Sequence, residues 1–164
     1  MNWKIEVSYK TEMPDAIGQG IVQDIADLGI DSVTSVRTAQ LYWIEGNIDS
    51  RAIERICSEL LADPVTQDYV YSEFNSRAPE QGKVSPPSTN AWTIEVRFKP
   101  GVTDAVGDSV LKGIRDSGIL GVQSAQTGQK YWIRGNLDHA RFETIAHRLL
   151  ANEVIQAFEI CEEA

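Results

Sequence analysis

Cysteine and histidine occur only twice each in this 164-residue chain. So few excludes a disulfide framework and leaves little from which to build a metal centre. Cys57 falls on the apolar face of an expected helix and Cys161 in the acidic tail FEICEEA. Neither invites pairing, and no metal site is expected from His139 and His147. No apolar run approaches the roughly 18 residues of a membrane span. The opening MNWKIEV lacks the character of a secretory leader, so a cytoplasmic protein is expected. Basic charge is scarce as well: 15 Lys and Arg stand against 24 Asp and Glu. A nucleic-acid partner, whose phosphates need clustered cations, is thereby disfavoured. Also missing are a glycine-rich phosphate cradle, a nucleophile elbow, zinc-ligand spacing and a Ser/His/Asp set. No catalytic, cofactor or metal residues are therefore expected in this chain. Asp24 and Asp27 read as the solvated side of a helix.

What the sequence does contain is itself, twice. WKIEVSYK at Trp3 recurs as WTIEVRFK at Trp92, and the offset of 89 residues then holds without a gap to Tyr69 and Phe158. Of the 67 aligned positions, 29 are identical. Two copies of one plan predict two small domains, residues 1–74 and 92–164, joined by a linker at 75–91 and packed as a pseudo-symmetric dimer. Size supports the pairing. A domain of about 70 residues buries only about 60% of its unfolded surface, so each copy alone is marginal and docking supplies burial that neither has. The linker is polar and rich in proline. As a coil it spans roughly 20–25 Å.

Each copy opens on strict alternation (Trp3, Ile5, Val7, Tyr9; Trp92, Ile94, Val96, Phe98), the mark of a half-buried strand. Asp15 and Asp104 then signal a helix start, and Gly107 suits close backbone approach. Ile17, Ile21, Val22, Ile25 and Leu28 form a helical stripe that Gly29 ends, with Gly118 its counterpart. Residues 33–38 and 41–47 read as a hairpin around a tight turn. A second helix is predicted over 50–62 and a last strand over 67–74. The order β-α-β-β-α-β is the ferredoxin-like α+β plan, with two helices on one face of a four-stranded antiparallel sheet and the other face uncovered. If Tyr42 and Ile44 face the helices, alternation puts Leu41, Trp43 and Glu45 on the uncovered face, and Lys130, Trp132 and Arg134 in the second copy. A tryptophan there in both copies implies a cover. Packing of repeat on repeat through Trp43 and Trp132 is one reading, and an anchor for another protein is the other.

The most distinctive loop is K-P-G-V-T-D-A-V-G at residues 99–107, which the first copy renders as K-T-E-M-P-D-A-I-G. Lys10 and Lys99 close the first strand of each copy and are candidates for a binding role. This loop, the helix ending S-G-I, the strand V-x-S-x-x-T-G-Q-K and the run L-L-A-N-x-V-I-x-x-F together resemble the PurS family, the small subunit of phosphoribosylformylglycinamidine synthase. The resemblance covers essentially the whole of both copies. It implies a βαββαβ fold that pairs, and a subunit without catalytic residues. Such a subunit bridges a glutaminase to an ATP-using synthetase in purine biosynthesis and serves ammonia transfer between them. ATP and Mg are expected in the synthetase partner only.

Charge is distributed unevenly along the chain. Residues 1–74 hold 5 basic and 13 acidic side chains, whereas residues 90–164 hold 8 and 10. The copies either face different environments or have drifted since duplication. On the first view Lys99, Lys130 and Arg134 face the synthetase, and the acidic first copy faces solvent or the glutaminase. A different class of function, a paired small-molecule sensor of the ACT type, shares the βαββαβ plan and a Pro-Gly first loop. The D-x-x-G continuation and the L-L-A-[DN]-x-V ending count against it.

Overall fold

The computed structural model describes residues 2–74 and 91–162. The linker expected at 75–91 therefore lies outside the described residues, apart from Ala91, which begins a strand. Repeat 1 is built from β1 (Asn2–Tyr9), α1 (Ala16–Asp27), β2 (Val33–Gly46), α2 (Ser50–Ile56) and β3 (Gln67–Phe74). Repeat 2 follows with β4 (Ala91–Phe98), α3 (Ala105–Asp116), β5 (Val122–Gly135), α4 (His139–Ile145) and β6 (Gln156–Glu162). After α2 and α4 the helices widen into one π turn each, Cys57–Leu61 and Ala146–Leu150. The widening is closed by Ala62 N–H on the Cys57 carbonyl and by Ala151 N–H on the Ala146 carbonyl, both at 3.0 Å. The strands form an antiparallel α+β sheet in the order β3-β1-β2-β5-β4-β6.

The expected hairpin does not form. Residues 33–46 are one uninterrupted strand of 14 residues, and so are residues 122–135 in the second repeat. The physical reason lies in the residues where the turn was expected. A two-residue hairpin turn needs positive φ, supplied by Asn-Gly, Asp-Gly or Gly-Gly. Thr38-Ala39-Gln40 has none of these, and Thr127-Gly128-Gln129 has a single glycine. Continuing the β conformation meets no such obstacle.

The uninterrupted strands change what packs with what. One compact unit draws on Met1–Lys10, Gln40–Val84 and Thr103–Thr127; the other on Thr11–Ala39, Ser85–Val102 and Gly128–Ala164. Each unit thus takes one helix and one half-strand from the other repeat. The core of the first unit joins Trp3, Ile5, Val7, Tyr42, Ile44, Ile53 and Ile56 of repeat 1 to Val110, Ile114, Ile119 and Val122 of repeat 2. In the second, Ile25, Val33 and Val36 of repeat 1 pack with Trp92, Ile94, Val96, Ile133, Phe142 and Ile145 of repeat 2. The ferredoxin-like plan of four strands and two helices is met in each unit, but from pieces of both repeats.

Candidate interaction surface

Asp15 and Asp104 build the local frame. Asp15 is buried, and its carboxylate accepts from Gly18 N–H (2.9 Å), Thr38 N–H (2.7 Å) and the Thr38 hydroxyl (2.8 Å). One side chain therefore caps α1 and fastens it to the middle of β2. Asp104 repeats the arrangement with Gly107 N–H at 2.8 Å and Thr127 N–H at 2.6 Å. The glycine three residues on is required by space: a Cβ on Gly18 would lie 2.0 Å from the Val36 carbonyl oxygen, and one on Gly107 would lie 2.5 Å from that of Ala125. The cap and the glycine were legible in D-x-x-G. Their threonine partner, 23 residues downstream in both copies, was not, because nothing local announces it.

On the sheet, Tyr42 and Ile44 do face the helices, and Leu41 and Trp43 lie opposite. That opposite face is not open to solvent: Trp43 is 9% exposed and Trp132 5%. Each ring has an ammonium over it from its own unit. Lys4 Nζ stands 5.7 Å from the Trp43 ring and Lys130 Nζ 5.0 Å from the Trp132 ring, a cation–π arrangement that gains strength when desolvated. Lys130 also faces its cross-strand neighbour Glu95, with Nζ 4.0 Å from Oε2. At 8% exposure Lys130 is buried, while Glu95 keeps partial exposure.

The other basic candidates stay at the surface. Lys99 and Arg134 are exposed and Lys10 is half-buried. The backbone N–H of Lys10 donates to the Thr66 carbonyl at 3.0 Å, and that of Lys99 to the Ile155 carbonyl at 2.8 Å. Each lysine is thereby held beside the loop that leads into the last strand of its repeat. That loop is locked onto itself. Val65 N–H donates to Asp63 Oδ1 (2.9 Å), Asp63 N–H to Gln67 Oε1 (2.8 Å) and Gln67 N–H to the Asp63 carbonyl (2.8 Å). Asn152, Val154 and Gln156 repeat all three bonds. At the tips, Val65 is 76% exposed and Val154 83%, and Leu60 and Leu149 in the preceding π turns are exposed too.

In the sequence the run L-L-A-[DN]-x-V at these apolar tips reads as a family signature, and Leu60 also reads, with Ile53, Ile56, Cys57 and Leu61, as the apolar face of the second helix, which its exposure in the structure corrects. Their exposure was hidden, since an isolated Leu or Val in a sequence looks like core. A signal was nonetheless available. Leu60/Leu149 and Val65/Val154 are identical between the copies, whereas their exposed neighbours differ: Glu59 against Arg148, Pro64 against Glu153.

The remaining titratable groups are local. Cys57 is free and buried, and burial, with the Glu54 charge second, pushes its thiol up to about 12, a value that leaves it unreactive. Tyr69 donates to Glu54 Oε1, and that bond, ahead of burial, pushes its phenol up to about 12. Cys161 lies where side chains are not described. Among the described residues no group of three or more His, Cys, Asp or Glu could hold a metal ion, and no helix is long and apolar enough to cross a membrane. A family model described as PurS, phosphoribosylformylglycinamidine (FGAM) synthase, matches the chain twice, over residues 2–73 and 91–163. No curated protein matches it.

Proposed function

The chain belongs to the PurS family of FGAM synthase, a component of purine biosynthesis, and from that premise we propose that it is a non-catalytic assembly subunit. It bridges the glutaminase subunit and the ATP-dependent synthetase subunit and serves the passage of ammonia between them. ATP and Mg belong to the synthetase, and this chain supplies surfaces. The observation that carries the reading is the duplicated tip: a hydrogen-bonded loop that exposes the same valine beside a strand-end lysine in both repeats. A rigid apolar projection gives nothing to a lone soluble chain, whereas a protein partner that buries it gains the transfer free energy at small ordering cost.

The chain should co-purify with the two partner subunits. Glutamine-dependent formation of the amidine should collapse when it is withheld, while ammonia-dependent turnover by the synthetase persists. Full glutamine-dependent turnover by the other subunits alone would end the proposal. Within the complex, Val65→Asp and Val154→Asp should each weaken association by about tenfold, the size of one buried anchor, without shifting the melting temperature of the free chain. Lys99→Glu and Arg134→Glu should weaken it by about twofold to tenfold, an effect that fades in high salt.

A further inference from the structure

The sheet ends on β3 at one side and on β6 at the other. Among the described residues each pairs with a single strand, so one row of its backbone N–H and C=O groups faces outward. Proteins blunt such edges with charge, proline or a bulge, because a bare row is a template for another strand. β6 is blunted at its midpoint. Glu159 is exposed there, opposite Glu95 on β4, and a second β6 laid on it about that centre would set Glu159 against Glu159, a destabilising pair. β3 has no such guard. Residues 67–74 hold no lysine, arginine or proline, and their register with β1 runs from Gln67 to Phe74 without a bulge. At its middle, Tyr69-Val70-Tyr71, there is no charge, and the two rings lie nearly parallel with centroids 6.4 Å apart. Both rings pack against the first core, and Tyr69 is tied to Glu54, so covering them costs little further ordering.

We infer that β3 is a self-association edge: two copies of the chain join β3 to β3, antiparallel, about a two-fold axis at Val70. The occupant follows from the order of the residues. Residues opposite each other in an antiparallel pair point to the same face. With the helices of both copies on one side, Val70 meets Val70, Tyr69 meets Tyr71, Asp68 meets Ser72 and Gln67 meets Glu73. Aromatic falls on aromatic, each carboxylate falls on a hydroxyl or an amide, and no like charges face each other. Turning the second copy over, so that the helices lie on opposite sides, shifts the register by one and sets Asp68 against Glu73 at both ends. Charge thus selects one arrangement, an isologous contact that closes at two chains. Seven residues a side fall well short of the roughly 20–30 of a standard interface, so the association is weak and depends on concentration.

Sedimentation of the whole chain from about 5 µM to about 1 mM should show a monomer passing into a dimer and no further. Val70→Lys sets two ammonium groups face to face at the axis and should raise the dimer dissociation constant by about tenfold or more. Position is read separately by cross-linking in a Cys161→Ser background. Val70→Cys brings two thiols opposite each other, at a Cα separation of about 4.5–5.5 Å that a disulfide spans, and mild oxidation should give a covalent dimer. Ser72→Cys places its two thiols roughly 13 Å apart along the strands and should give none. A chain that stays monomeric to the top of that range would overturn the inference. So would a dimer that survives Val70→Lys, or one that cross-links through position 72 as readily as through position 70.

Discussion

At the scale of single residues, the frame depends on side chains that do two jobs. Asp15 is both a helix cap and the bolt between α1 and β2. Asp15→Ala removes three bonds to a buried carboxylate and should lower stability by about 2–4 kcal/mol, read as a denaturant midpoint. Asp104→Ala should cost less, because that site is only part-buried. Gly18→Ala forces a backbone shift against Val36 and should cost about 1–3 kcal/mol, the opposite of the gain alanine brings to an ordinary helix. Tyr69 supplies a pH signature. Its phenol rises from the ordinary 10.0 to about 12 through its bond to Glu54, so the folded chain holds that proton more tightly than the unfolded chain. The resulting stabilisation is complete below pH 10 and disappears as pH climbs to about 12. Urea midpoints followed across that window should fall more steeply for the native chain than for Tyr69→Phe.

At the scale of elements, the decisive object is the 14-residue strand. Because β2 and β5 continue without a break where a hairpin would have turned back, α1 and α3 are delivered to the other repeat's core. The consequence is measurable. Ile25→Ala, a change in repeat 1, should cost about 2–5 kcal/mol by opening a cavity in a core built mostly from repeat 2. Amide exchange should then accelerate in β4 and β6 before it does in β1 and β3. Ile114→Ala should show the converse. If each mutation loosens its own repeat first, the exchange of helices is wrong. The first strand, the helix stripes and the closing strand were readable from local alternation and capping. The second helix was readable too, but its π ending was not, since no residue in C-S-E-L-L prescribes it.

At the scale of the molecule, exchange redistributes charge. Along the sequence the first copy is far more acidic than the second. Counted by compact unit, one carries 8 basic and 12 acidic side chains and the other 7 and 12. The acidic helix α1 has moved to the company of the more basic repeat, so a division into one acidic and one basic face does not follow from the polarity of the repeats. Shared cores also predict a single cooperative transition. Tryptophan fluorescence and far-ultraviolet dichroism should give coincident unfolding curves, whereas two self-contained repeats with differing cores would unfold in two steps.

Local chemistry is enough to determine a good part of this protein. The repeat and its offset, the helix-capping aspartates, the close-approach glycines and the faces of β2 all follow from residue type and spacing, because capping, steric room and side-chain alternation act over a few residues. The pairing of Asp15 with Thr38, the burial of Lys130, the exposure of Val65 and Val154 and the passage of α1 into the other repeat's core were decided only by the folded chain. Each of these depends on which distant segment comes to lie alongside, and that was settled when two strands lacking a turn went on without a break.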